Sequence, residues 1–270
     1  MTKQLKIGIV SLFSSVLVAN LSAASIDITN ASFEFLGDLN NANPSLTCVF
    51  PGVFQNKGCR TDNIVGTGWV GSSNGSGDGF RFGVLTPYLE GDTRLTGAVP
   101  KAAYIVGAQD GLNYGYSRIQ GTNTQVDLTN TLSAALQLNM SYTLRVMVGV
   151  RNQAASVPMF SIMLGTANGS ILASSSAGGP VLPDDKGTWK EVTLNWTQLA
   201  SDQNVGSNLR IILRNTGPNA NVELGFDNVR LDGVEAASAP SAVPEPATMS
   251  LLGGSLLGLL AYGRKRASKA

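Results

Sequence analysis

The chain has 270 residues, 19 Lys and Arg against 18 Asp and Glu, and no histidine. The missing histidine excludes a Ser-His-Asp hydrolase and a His-ligated zinc hydrolase, and the near-neutral charge leaves no basic stripe for nucleic acid. Charged residues make up only 14%, so Gly, Ser, Thr and Asn carry the polar surface, as suits an exported β protein.

At the N-terminus Lys3 and Lys6 precede an uncharged stretch over residues 7–19 and then LSAAS. That order of charged, apolar and small residues predicts a secretory signal peptide over residues 1–24, cut by signal peptidase after Ala24. The exported body then spans residues 25–234, enough for one domain with a sizeable core. Its only cysteines are Cys48 and Cys59. Outside the cytoplasm this pair is expected to form one disulfide closing a surface loop, and two thiols without histidine are too few for zinc.

Residues 39–83 are irregular and rich in Gly, Ser and Asn. Gly71-Ser72-Ser73-Asn74-Gly75 has the spacing of a nucleophile elbow, but the base that such a serine needs is absent, so it reads as loop sequence. The stretch from Asn74 to Gly79 begins like a calcium loop, yet its twelfth position is Leu85, where an EF-hand needs a bidentate Glu. Asp78, Glu90, Asp92, Asp110, Asp184 and Asp185 sit in turn-like sequence, and no spacing pairs them for glycoside hydrolysis. The rings of Phe80, Phe82, Tyr88, Tyr114 and Tyr116 lie in glycine-flanked, loop-like sequence. They are candidates to stack on sugar faces or to line an apolar pocket, whereas Trp69, Trp189 and Trp196 read as core or sheet-face residues.

From residue 126 onward the apolar residues alternate. Val126, Leu128, Leu132, Leu136 and Leu138 share one phase, and Tyr142, Leu144, Val146, Val148 and Val150 another. Phe160, Ile162 and Leu164 alternate likewise, then Val192, Leu194 and Trp196, then Leu209, Ile211 and Leu213. A period of two predicts strands, and the TANGS, SAGGP, PDDKG and NTGPNAN stretches supply the turns between them. The expected fold is all-β, an antiparallel jelly-roll β-sandwich, with a barrel as the alternative. In NVELGFDNVRLDG the alternation slips at Asp227-Asn228, which predicts a β-bulge in the last strand. Where the two chain ends run side by side, Glu34 and Asp227 meet, and their carboxylates are the candidate ligands of a structural calcium ion (Ca2+).

A small-residue linker over residues 235–243 leads to the tail, residues 244–270. The tail opens with Pro244, Glu245 and Pro246, continues uncharged over residues 247–263, and closes with Arg264, Lys265 and Arg266. The uncharged run predicts one transmembrane helix whose basic end stays on the cytoplasmic side.

This tail resembles the PEP-CTERM sorting signal. The resemblance implies export in a Gram-negative bacterium and recognition by an exosortase at Pro244, Glu245 and Pro246, with Arg264, Lys265 and Arg266 completing the signal. The body, through NASFE, a Gly-Trp pair, LNMSYTLRVMVGVR and GFDNVRLDG, resembles galactose-binding-like sandwiches. Carbohydrate-binding modules and the hapalindole-type (Stig) cyclases share that architecture, which implies calcium near Glu34 and Asp227. No motif places a cyclase's proton-donating acid. The leading expectation is therefore a surface or extracellular-matrix protein that binds polysaccharide on a calcium-stiffened sandwich. The alternatives are a calcium-dependent cyclase-like enzyme, a carboxylate-pair glycosidase, and a structural component of the envelope or biofilm.

Replacing Pro244, Glu245 and Pro246 together by Ala is expected to leave the protein as an unprocessed precursor. Fractionation with intact-mass measurement checks this: full-length protein should accumulate in the inner membrane, and wild-type-like release would remove the triplet's role.

Overall fold

The computed structural model describes residues 23–34, 46–48, 59–61, 65–75, 82–85, 107–111, 113–119, 123–150, 159–175, 186–198, 203–216 and 222–236. The strands begin as β1 (Ala24–Ile26), β2 (Leu46–Cys48), β3 (Cys59–Thr61), β4 (Trp69–Ser73), β5 (Phe82–Leu85), β6 (Tyr114–Ile119) and β7 (Gln125–Ala135). They continue as β8 (Met140–Val150), β9 (Met159–Thr166), β10 (Ile171–Ser175), β11 (Trp189–Thr197), β12 (Asn208–Thr216) and β13 (Val222–Glu235). One sheet runs β11-β8-β13-β6-β5-β3-β2, with β1 also on β13, and the other runs β10-β9-β12-β7-β4. Every pairing among them is antiparallel.

Alternation explains the packing. Leu144, Val146, Val148, Leu224 and Phe226 from the first sheet meet Leu128, Ile162, Leu164, Ile211 and Leu213 from the second in one core. Apolar residues at every second position can leave water together only if two sheets face each other, and their burial is the main favourable term of folding. Asn130 takes an inward position of β7 and is buried. Its amide donates to the Thr29 carbonyl at 2.9 Å, so the polar group is not orphaned.

The expected bulge is present. The register between β13 and β8 shifts between Asp227 and Arg230, and Asn228 adopts φ 46°. Asn tolerates this left-handed backbone better than most residues. The extra residue lets Leu224 and Phe226 before it, and Val229 and Leu231 after it, all join the core.

Residues 28–34 close against the sandwich. Trp69 Nε1 donates to the Asn30 carbonyl at 2.9 Å, and the Val229 amide to the Ala31 carbonyl at 3.1 Å. Phe33 is fully buried and stacks on Trp69 with ring centroids 4.8 Å apart. That ring occupies the space above Gly115, where an added Cβ would come within 2.5 Å of it. β2 and β3 set Cys48 and Cys59 opposite each other in register. Residues 1–22 of the expected signal peptide, the tail and its span over residues 247–263 lie outside the described residues, whereas Ala24 already pairs in β1. Among the described residues no helix is long and apolar enough to cross a membrane.

Gly115→Ala is expected to cost about 2 kcal/mol, a fall of roughly 4–8 °C in the thermal midpoint. In the double variant with Phe33→Leu the combined loss should be smaller than the sum, because the shorter side chain makes room. Additive losses would show that the two residues do not share this space.

Candidate functional site

The face of the first sheet that points away from the core holds a second, separate cluster. Strand register places Trp189 of β11, Gly149 of β8, Gly225 of β13, Tyr116 of β6 and Gly83 of β5 in one row across it. Glycines therefore stand between Trp189 and Tyr116 in this row, and without Cβ atoms there the neighbouring rings can lie close over the sheet. Tyr114 and Leu85, one position down each strand, join Tyr116 and Trp189 in this cluster. The Tyr114 ring meets Trp189 edge-on, with centroids 5.2 Å apart and planes at 76°, a favoured geometry for the ring quadrupoles. The Tyr114 hydroxyl donates to Glu223 Oε1 at 3.3 Å.

Glu223 is thus a carboxyl on an outward position of β13 that is nonetheless only 5% exposed. Arg118 is its register partner on β6. The structure thus sets a buried carboxyl between a phenol that donates to it and an arginine position on the phenol's own strand. Sequence reasoning missed Glu223. Val222, Leu224 and Phe226 mark it as outward, which reads as solvated. Its hydrogen-bond partner Tyr114 comes from β6, which only the topology brings alongside.

The predicted aromatic group is divided by the structure. Tyr114 and Tyr116 are not loop residues with exposed faces; both lie on β6 and are fully buried. Phe82 lies on β5 with its ring against Gly71 and packs on the main core, on the opposite face of the sheet. Glycine spacing misled the reading, because glycines here flatten strands for close ring packing instead of making turns. Phe80 and Tyr88 lie outside the described residues, as do Asp78, Glu90, Asp92, Asp184 and Asp185.

The candidate calcium ligands converge on the segment that leads into β6. Asp227 Oδ2 accepts the amides of Gln109 at 2.6 Å and Asp110 at 3.0 Å, and its Oδ1 accepts the Asn228 amide at 2.7 Å. Glu34 Oε1 accepts the Asn113 amide at 2.6 Å, and Glu34 Oε2 the Asn113 side-chain amide at 3.2 Å. Ser32 donates its hydroxyl to Asp110. Ser32, Glu34 and Asp227 therefore hold one segment, through Gln109, Asp110 and Asn113.

Asp227 is fully buried. Burial pushes its carboxyl up to about 7; three backbone amides pull the other way and the Asp110 charge adds to the rise. Oxygen donors with excess negative charge suit a hard cation such as calcium. Among the described residues, however, no group of three or more acidic, His or Cys side chains is arranged to hold a metal ion. A cation here would need backbone carbonyls as well.

The HpiC1-like family, described as HpiC1 cyclase, matches residues 24–232, and the PEP-CTERM protein-sorting motif matches residues 242–266. Among solved structures, a Stig cyclase, Fisc, from Fischerella sp. TAU is 24% identical, with a TM-score of 0.57 over 80% of this chain and 100% of that one. A second cyclase from Fischerella sp. TAU is 22% identical, with a TM-score of 0.56 over the same shares. No curated protein matches the chain.

Because the folded-state pKa of Asp227 lies above its ordinary value, the folded state holds the proton more tightly between about 4 and about 7. Stability from this group is fully present below that window and is lost as pH rises through it. In chelator, the wild type should lose several degrees of thermal midpoint relative to Asp227→Asn between pH 4 and pH 7. Parallel pH profiles for the two proteins would rule this out.

Proposed function

The chain belongs to the HpiC1-like cyclase family and carries a PEP-CTERM sorting motif, and we propose that its exported sandwich is a proton-transferring cyclase. Glu223 is the acid, and Tyr114, Tyr116 and Trp189 form the wall that shapes the substrate. The observation that carries this reading is the buried Glu223 carboxyl, held by the Tyr114 hydroxyl beside Trp189.

The reaction is an isomerisation with no net proton change. Glu223 adds its proton to a carbon of a substrate alkene, leaving a carbocation. The π pair of a second double bond attacks that cation, closing a ring by a new C–C bond. A proton then leaves a neighbouring carbon for the Glu223 carboxylate, which restores the acid. Aromatic faces favour the transient positive charge, and a dry site spares it from capture by water. Solved cyclases of this fold hold indole compounds, 4-(1H-indol-3-yl)butan-2-one among them. An indole-bearing alkene is the substrate class that these rings would accept.

Calcium, when bound, supplies a positive charge to Glu34 and Asp227, with Asp110 as a further candidate ligand. These residues fix the segment before β6 and so set the position of Tyr114. The sandwich is a jelly roll, and a Cys48–Cys59 disulfide pins β2 to β3. Signal peptidase removes residues 1–24, residues 247–263 hold the protein in the membrane, and exosortase acts at Pro244, Glu245 and Pro246. The destination is the cell surface or matrix. Extracellular polysaccharide is the competing ligand, but it would call for exposed rings, and Tyr114 and Tyr116 are buried.

The test is turnover of an indole-bearing polyene in D2O with calcium present. The wild type should place deuterium in the cyclised product, Glu223→Gln should lose roughly 100-fold or more, and Tyr114→Phe roughly tenfold. Full activity in Glu223→Gln would remove its role. Retention on extracellular polysaccharide with no turnover of such substrates would replace the cyclase reading by the binding one.

A further inference from the structure

One end of the sandwich presents apolar side chains at the tips of its turns. Leu138 between β7 and β8, Val205 between β11 and β12, and Ile171 at the start of β10 are 47%, 39% and 49% exposed. Backbone bonds tie these turns into one surface. The Leu136 amide donates to the Ser207 carbonyl at 2.8 Å, and the Gly206 amide to the Leu136 carbonyl at 2.9 Å. The Ala167 amide donates to the Asn208 carbonyl at 2.9 Å, and the Asn168 side-chain amide to Asn204 Oδ1 at 3.1 Å. The turn residues 136–139, 167–170 and 203–207 are all uncharged.

Both routes to the membrane meet the body at this same end. β13 runs out here, where the Ala236 amide donates to the Asn139 carbonyl at 2.6 Å. β1 starts here, with Ala24 opposite Gly233 in register. The sorting motif begins at residue 242. Even fully extended, the chain from residue 236 to residue 247 reaches at most about 37 Å. A tether that short keeps the end of the body close to the bilayer and gives a weak contact a high effective concentration.

We infer that this end rests on the lipid bilayer while the tail is inserted, with Leu138, Val205 and Ile171 entering the interfacial zone. Small uncharged turns lose little on leaving bulk water, and exposed apolar tips gain from reaching the acyl boundary. The exposed Glu235 stands at the exit of β13 and stays in the headgroup layer. The arrangement points Glu223, at the opposite end of β13, outward by roughly 40 Å of strand. It rests on the sorted tail and not on the catalytic reading.

The test uses the full chain in phosphatidylcholine vesicles with brominated acyl chains, after subtracting the fluorescence of the native tryptophans. Leu138→Trp and Val205→Trp should each be quenched at least twofold. Met159→Trp, equally exposed at the opposite end of the sandwich, should be unchanged. Leu257→Trp reports insertion of the tail itself. Quenching at 257 with none at 138 and 205, or equal quenching at 159, overturns the proposal; no quenching at 257 removes its premise and overturns it too. Hydrogen exchange on the unsubstituted chain gives a second measure: amides at 136–139 and 203–207 should slow in vesicles relative to protein whose tail has been cut off. Unchanged exchange there counts against the contact.

Discussion

The bulge at Asp227-Asn228 is the constraint on which the rest of the molecule turns. A strand of fixed alternation could bury Leu224 and Phe226, or Val229 and Leu231, but not both pairs. One extra residue, with Asn228 in a left-handed conformation, lets both pairs face the core. Asp227, outward by ordinary alternation, stands at the edge of this bulge, and its carboxylate takes the amides of Gln109 and Asp110. Those residues lead directly into β6, the strand that carries Tyr114 and Tyr116. A backbone irregularity in the core is thereby coupled, through one buried carboxylate, to the placement of the rings on the outer face.

That coupling gives the two acidic positions on β13 different work. Asp227 binds backbone and holds a segment in place, and its three amide partners leave it little freedom to approach a ligand. Glu223 bonds a side chain, Tyr114, across a face whose row contains Gly225, Gly149 and Gly83. Glycine in strand interiors weakens a sheet, and here it lets bulky rings pack close to the backbone. The difference between the two acids is read from their partners, backbone amides for one and a phenol for the other, not from their residue types.

Much of the architecture was legible in the chain because it depends on local alternation. The phases of β7, β8, β9, β12 and β13 follow directly from their apolar residues, and the slip at Asp227 announced the bulge. Glu34 and Asp227 both reach the backbone between residues 109 and 113, one bonding Asn113 and the other Gln109. The setting of the rings was hidden for a different reason. Glycines beside Tyr114 and Tyr116 look the same in a loop and in a strand packed under bulky neighbours, and only Phe33 above Gly115 tells the two apart. Glu223 was invisible because its partner Tyr114 comes from β6, 109 residues earlier in the chain.

The attachment point of the tail has a mechanical consequence. The chain leaves the sandwich from β13, an interior strand flanked by β8 along its length and by β6 and β1 on its other side. Drag on a displayed body therefore pulls along the axis of a strand whose hydrogen bonds lie across that pull. Those bonds are loaded together, in shear, and must fail as a group. An edge strand pulled from its end across the sheet would peel one bond at a time. Any load applied through the C-terminal end of β13 is thus taken by the part of the fold that best resists being drawn out.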